Sequence, residues 1–223
     1  MNRLYFTVSI LILGLSVLLS TSPITCAAQQ PDPTEQFRPF VDKIVSILID
    51  PELQGENNCI LRREKVMEIA AERFDFDEMS KRVLGKTWRK LNADDKQYFT
   101  SLFTRLLEHA YIGKIEDYSK QKVIFKDQRV KGSRAQVNTT VVDKDVSVSV
   151  SYIMMLDNDI WLVYDIVVEG VSLVRNYMDQ FKEILRKEGY PHLLKQVEEK
   201  VTTLEEAIGK PCPVEIIEKN SSS

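Results

Sequence analysis

The chain has 223 residues, with 30 basic side chains against 33 acidic ones and a net charge of −3. There is no basic tract of the kind that marks a nucleic-acid binder, and no apolar run beyond the N-terminal segment is long enough to span a bilayer. The sequence carries no HExxH, no CxxC, no Gly-rich phosphate loop and no G-x-S-x-G elbow, so it lacks the usual signatures of metal, nucleotide and hydrolase chemistry.

Residues 1–28 read as an export signal. Arg3 precedes an apolar core from Phe6 to Leu19, and Cys26-Ala27-Ala28 places small residues where a signal peptidase reads. An uncleaved anchor and a lipoprotein at Cys26 are the alternatives. Cleavage after Ala28 removes Arg3 and no acid, which leaves 195 residues at a charge of −4. That length supports one domain with a full core, over residues 29–210, followed by a tail at 211–223. Cys59 and Cys212 are then the only cysteines left. In an oxidising compartment they invite one disulfide, with two free thiols as the alternative.

After a polar leader from Gln29 to Thr34, the stripe Phe37, Phe40, Val41, Ile44, Val45 and Leu48 predicts a first helix, closed by Pro51. A second helix is expected from about Leu61 to Phe74, with Val66, Ile69, Ala70 and Phe74 inward. Asp75 caps a short third helix that ends at Gly85. Asn92 caps the longest helix, with Asp95 in the capping-box position and Phe99, Leu102, Phe103, Leu106, Ala110 and Tyr111 at helical spacing. The charged pairs and runs, Arg62-Arg63 and Lys195 to Lys200 among them, read as solvated faces. His109 reads as a helix-surface residue, and His192 as a solvated one.

From Gln121 the period changes to two. Four strands are expected at Gln121–Lys131, Ser133–Val142, Val146–Leu156 and Ile160–Glu169, joined by turns short enough to force an antiparallel meander. The fourth strand does not alternate cleanly. Leu162, Tyr164, Ile166 and Val168 fall on one side, and Trp161, Val163 and Val167 on the other, so packed helices, a bound ligand or both cover each face. Glu169-Gly170 reads as a strand exit, with Ser172 capping a helix to Glu188 and a last helix running from Pro191 to Ile208. Helices, a four-stranded meander and helices again make an α+β fold with helices packed on a curled antiparallel sheet. Asp165, inside the apolar fourth strand, has two readings: a carboxyl of raised pKa acting as a base, or an acceptor for backbone groups at a sheet edge or helix N-terminus.

Three segments carry a resemblance to a known family: FDFDEMSKRVLGKTW (Phe74–Trp88), the F-x-x-L-F-x-x-L-L-x-x-x-Y pattern from Phe99 to Tyr111, and WLVYDIVVEGVSLVRNYMDQF (Trp161–Phe181). The chain resembles the MlaC or toluene-tolerance proteins over about Phe37 to Val201, departing at Met178, where the family usually carries Arg. It is also similar to hopanoid-associated relatives, so phospholipid and hopanoid both stand as cargo. The resemblance implies an NTF2-like cone with an apolar cavity for acyl chains, and no catalysis or cofactor. It also implies a periplasmic monomer that docks on an outer-membrane lipoprotein–porin complex and on an inner-membrane ABC transporter with an MCE-domain protein.

On that reading the expected lining is Val148, Val150, Tyr152 and Met154 of the third strand, facing Leu162, Tyr164 and Ile166 of the fourth. Phe103, Leu106, Leu107 and Tyr111 of the long helix are expected to join them, with Val171, Val174, Tyr177 and Phe181 as the wall beside the opening. Two rival classes are an NTF2-like enzyme using Asp165 with a tyrosine, and an adaptor whose apolar interior is only core.

Overall fold

The computed structural model describes residues 30–55, 58–116, 121–143 and 146–208. Among them are six α-helices: α1 (Pro33–Ile49), α2 (Cys59–Ala71), α3 (Phe76–Leu84), α4 (Ala93–Glu116), α5 (Leu173–Lys187) and α6 (Tyr190–Ile208). The strands are β1 (Lys122–Lys131), β2 (Arg134–Asp143), β3 (Val146–Asp157), β4 (Ile160–Val168) and β5 (Val171–Ser172), paired in that order in one antiparallel sheet. The sheet is open rather than closed. The expected signal segment, its cleavage site and the 211–223 tail lie outside the described residues. Cys59 is disulfide-bonded, and Cys212 lies outside the described residues.

Local chemistry sets most of the boundaries. Asp32, Asp75 and Asn92 each accept a hydrogen bond from the backbone N–H three residues on, at 3.0, 2.8 and 2.8 Å. Each thereby satisfies one of the N–H groups a helix start leaves open. The first helix begins at Pro33, inside the expected leader, because Asp32 caps it and proline fits the first helical position. Tight hairpins join the strands: Asn158 and Asp159 both have positive φ, as do Glu169 and Gly170. Two successive positive values are what a type I′ turn requires. Glu169-Gly170 is therefore a reversal rather than a strand exit. It folds Val171-Ser172 back on Val168 and Val167 as a fifth strand beyond the expected four.

β4 is buried on both faces, and a bulge explains its broken alternation. Ile153 pairs with Asp165 while Met154 pairs with Val163, so Tyr164 is an extra residue in β4. Past the bulge the faces exchange. Trp161 and Val163 join Ile166, Tyr152, Met154, Val137 and Phe37 in a layer under α1, while Tyr164 and Ile153 join the layer built by α3, α4, α5 and α6. Packed helices thus supply the apolar cover on both sides.

The outer edge of β4 is closed point by point, as an exposed edge demands. The Trp161 N–H donates to the Gln36 side chain at 2.6 Å. Val163 exchanges bonds with the backbone of Arg73 (2.7 Å) and Asp75 (2.8 Å) in a parallel bridge centred on Phe74, and β5 covers Val167 and Val168. Phe74 therefore lies outside α2, which stops at Ala71. Its extended backbone is recruited by the sheet, which overrides the helical spacing of its side chain.

Candidate functional site

Helices α4, α5 and α6 enclose a groove of about 720 Å³. Leu106, Tyr177, Phe181, Leu193, Val197 and Leu204 supply apolar lining, and Asn176, Gln180, Gln196, Lys200 and Thr203 are polar lining residues. The volume falls in the ~300–1,000 Å³ range of small-molecule sites.

The walls follow from the chain. Ser172 caps α5, accepting from the Arg175 N–H at 3.0 Å. Asp165 completes the start of that helix: it accepts from the Ser172 hydroxyl at 2.5 Å and from the Val174 N–H at 2.9 Å. Of the two readings of Asp165, the acceptor at a helix N-terminus is the one observed. An Asp165→Ala substitution is expected to cost about 1–3 kcal/mol, the scale of leaving such partners unpaired, read as a lower urea midpoint; an unchanged midpoint would refute the capping role.

Behind the groove, Phe103 meets Tyr177 edge-on with ring centroids 5.3 Å apart, and Tyr177 meets Phe181 at 5.6 Å. Burial, with Tyr111 beside it, pushes the Tyr177 hydroxyl up to about 12, so it stays neutral at physiological pH. Helix α6 runs beside α4 in the same direction, held by two polar contacts seven residues apart. The Tyr98 hydroxyl donates to Glu198 at 2.7 Å, and Arg105 grips Glu205, with Nε at 3.1 Å. His109, expected at the surface, is half-buried and sits 3.2 Å from the same Glu205 carboxylate. His192 is solvated as expected, 2.6 Å from Glu188.

The structure divides the expected lining rather than assembling it. Leu106, Tyr177 and Phe181 line the groove. Phe103, Leu107, Tyr164 and Val174 are buried in the layer behind it, with Tyr111 partly buried at its margin. The Arg82 guanidinium lies 3.9 Å over the Tyr164 ring, on the α3 side. Leu162 pairs with Met155, which packs into the same layer. Val148, Val150, Tyr152, Met154 and Ile166 fall on the opposite face of the sheet, which α1 covers. They do not meet the groove. The expectation aligned Ile166 with Tyr164, and the bulge separates them. Val171 is 63% exposed in β5, away from any wall.

The expected lining included no residue of α6, which supplies half the groove. Its signal was present in the stripe Leu193, Val197, Val201 and Leu204, at helical spacing. A second correction concerns Arg62 and Arg63, which are buried rather than solvated; Arg62 Nη1 donates to the Leu53 carbonyl at 2.8 Å. The Lys195–Lys200 run is the exposed face that was expected, with Lys195 3.7 Å from Glu199. Among the described residues no helix is long and apolar enough to cross a membrane, and no cluster of three His, Cys, Asp or Glu could hold a metal ion.

An open antiparallel sheet layered by helices on both faces, with a partly apolar groove among three of them, defines an α+β binding domain. A model of the MlaC protein family matches residues 38–199, most of the chain, and the chain belongs to that family. It is 27% identical over 186 residues to the toluene tolerance protein ttg2D of Pseudomonas putida, covering 82% of this chain and 86% of that one. It is 25% identical over 125 residues to the intermembrane phospholipid transport system binding protein MlaC of Haemophilus influenzae, covering 53% and 58%. The fold matches that of the phospholipid-binding protein from Ralstonia solanacearum, solved in complex with a phospholipid. The TM-score is 0.71 at 24% identity, over 78% of this chain and 99% of that one.

Proposed function

We propose that this chain is an exported carrier that takes a phospholipid into the groove between α4, α5 and α6. In this reading it moves its cargo through the periplasm, as a single chain, between an outer-membrane lipoprotein–porin complex and an inner-membrane ABC transporter with an MCE-domain protein. The observation that carries the reading is the groove of about 720 Å³ with its partly apolar lining, in a domain whose sheet faces are already filled by side chains. Family membership, and the phospholipid held by the Ralstonia solanacearum relative, support the same cargo.

The energetics suit a carrier. An acyl chain of about fifteen methylenes gains roughly 12 kcal/mol on leaving water, at about 0.8 kcal/mol per methylene. A lipid crosses an aqueous gap only inside an equally dry site, and leaves that site only where a docked partner favours an opened state. Asp165, engaged in capping α5, offers no support for the enzyme reading.

Organic extraction of the purified protein followed by mass spectrometry tests the proposal. About one phospholipid per chain is the expected result. Recovery of a hopanoid would keep the carrier and change its cargo, and protein free of any lipid after exposure to phospholipid vesicles would overturn the reading.

A further inference from the structure

The groove is not uniform along its length, and its asymmetry orients an amphiphile. Helices α5 and α6 are antiparallel and joined at Glu188-Gly189, so Ile184 and Leu193 lie at the end beside the connection. Asn176, Tyr177, Lys200 and Thr203 lie at the far end, where the two helices have run furthest from that connection. Helix α4 agrees with this polarity. Phe99, early in α4, packs against Tyr190 near the connection at 6.3 Å, while Tyr111, late in α4, lies beside Tyr177.

Charge is distributed with the same asymmetry. Lys200 is exposed, lines the groove, and forms no ion pair or hydrogen bond among the described residues. Its neighbours are committed elsewhere: Glu198 to Tyr98, Glu205 to Arg105, and Glu199, the acidic residue of the lining, to Lys195 at 3.7 Å. Gln196, Lys200 and Thr203 recur at positions i, i+4 and i+7, and so share one stripe of α6. An unpaired ammonium that shares the far end of a partly apolar groove with the Asn176 amide suits an anion attached to an apolar tail.

Resting on the carrier reading above, we propose that Lys200, with Asn176, receives the phosphate of a lipid headgroup, and that the acyl chain runs past Tyr177 and Phe181 toward Ile184 and Leu193. The site then accepts phosphate-bearing lipids in preference to neutral ones, and the lipid enters with its headgroup at the far end of the α5–α6 pair.

The test compares full-length wild type with Lys200→Glu and Lys200→Met, each stripped of lipid and then loaded from vesicles of phosphatidylglycerol or from vesicles doped with diacylglycerol. Lys200→Glu is expected to take up phosphatidylglycerol about tenfold less well, the scale of one charge-assisted hydrogen bond. Lys200→Met is expected to fall in between, and diacylglycerol uptake to match wild type in both. Equal phosphatidylglycerol uptake by wild type and Lys200→Glu would overturn the assignment of Lys200 and leave the carrier standing, and so would a parallel loss of both lipids. Wild type that takes up neither lipid would overturn the carrier reading on which the assignment rests.

Discussion

Replacing Ala110 with Trp is expected to empty the protein of lipid while leaving it folded. Ala110 lines the groove from α4, and the space in front of it is open. An indole there covers on the order of 200 Å² of apolar surface, and it occupies room that an acyl chain would otherwise take. Lipid recovered from the purified variant should fall by at least about tenfold, which corresponds to roughly 1.4 kcal/mol of lost binding. The unfolding midpoint of the stripped protein should stay near wild type, since no packed side chain has to move. The gap in midpoint between loaded and stripped protein, which mass action creates for any ligand that binds only the native state, should close as well. Val150→Trp is the matching control. Val150 is 9% exposed and shares its sheet face with Tyr152 and Met154, so the larger ring overpacks that face at a cost of about 1–3 kcal/mol and leaves lipid recovery unchanged. Undiminished lipid in Ala110→Trp, or lipid lost only in Val150→Trp, would place the cargo in the other layer.

Trp161→Ala should be among the most destabilising single changes in the chain, at about 3–5 kcal/mol, the usual range for removing a buried Trp. Trp161 is 1% exposed and packs in the layer with Phe37, Val137, Met154 and Val163. Its indole N–H donates to the Pro31 carbonyl at 2.7 Å, and its backbone N–H is held by Gln36. One side chain thereby ties the start of α1 to the start of β4. Truncation leaves a cavity in the sheet layer and a carbonyl without its donor. Trp161→Phe keeps most of the volume and loses the donor, and should cost less. Urea unfolding followed by circular dichroism measures both, as a lower midpoint at an unchanged slope. A loss under about 1 kcal/mol in Trp161→Ala would contradict the role given to this layer.

The two experiments probe different sides of one sheet, and that division was the part of the molecule the sequence hid. The caps at Asn92 and Asp75 and the turn at Asn158-Asp159 were readable, because a cap or a tight turn depends on residues within three or four positions of one another. Phe74 was not, since its place depends on Val163, far along the chain, offering an open edge. His109 was misjudged for the same reason: its partner Glu205 reaches it from α6. The expected lining was the part most divided between the two layers. A single extra residue at Tyr164 reverses which side chains share a face, and nothing local to β4 announces it.

The sequence alone determined the order and type of the elements, the antiparallel meander and the family resemblance, because periodicity, capping and turn chemistry act over a few residues. Only the tertiary structure decided which face each strand residue takes, that Asp165 caps α5, and that the groove lies among α4, α5 and α6. Those outcomes depend on how far-apart segments pack against one another, and a bulge or a borrowed edge contact changes them without leaving a mark on the local pattern.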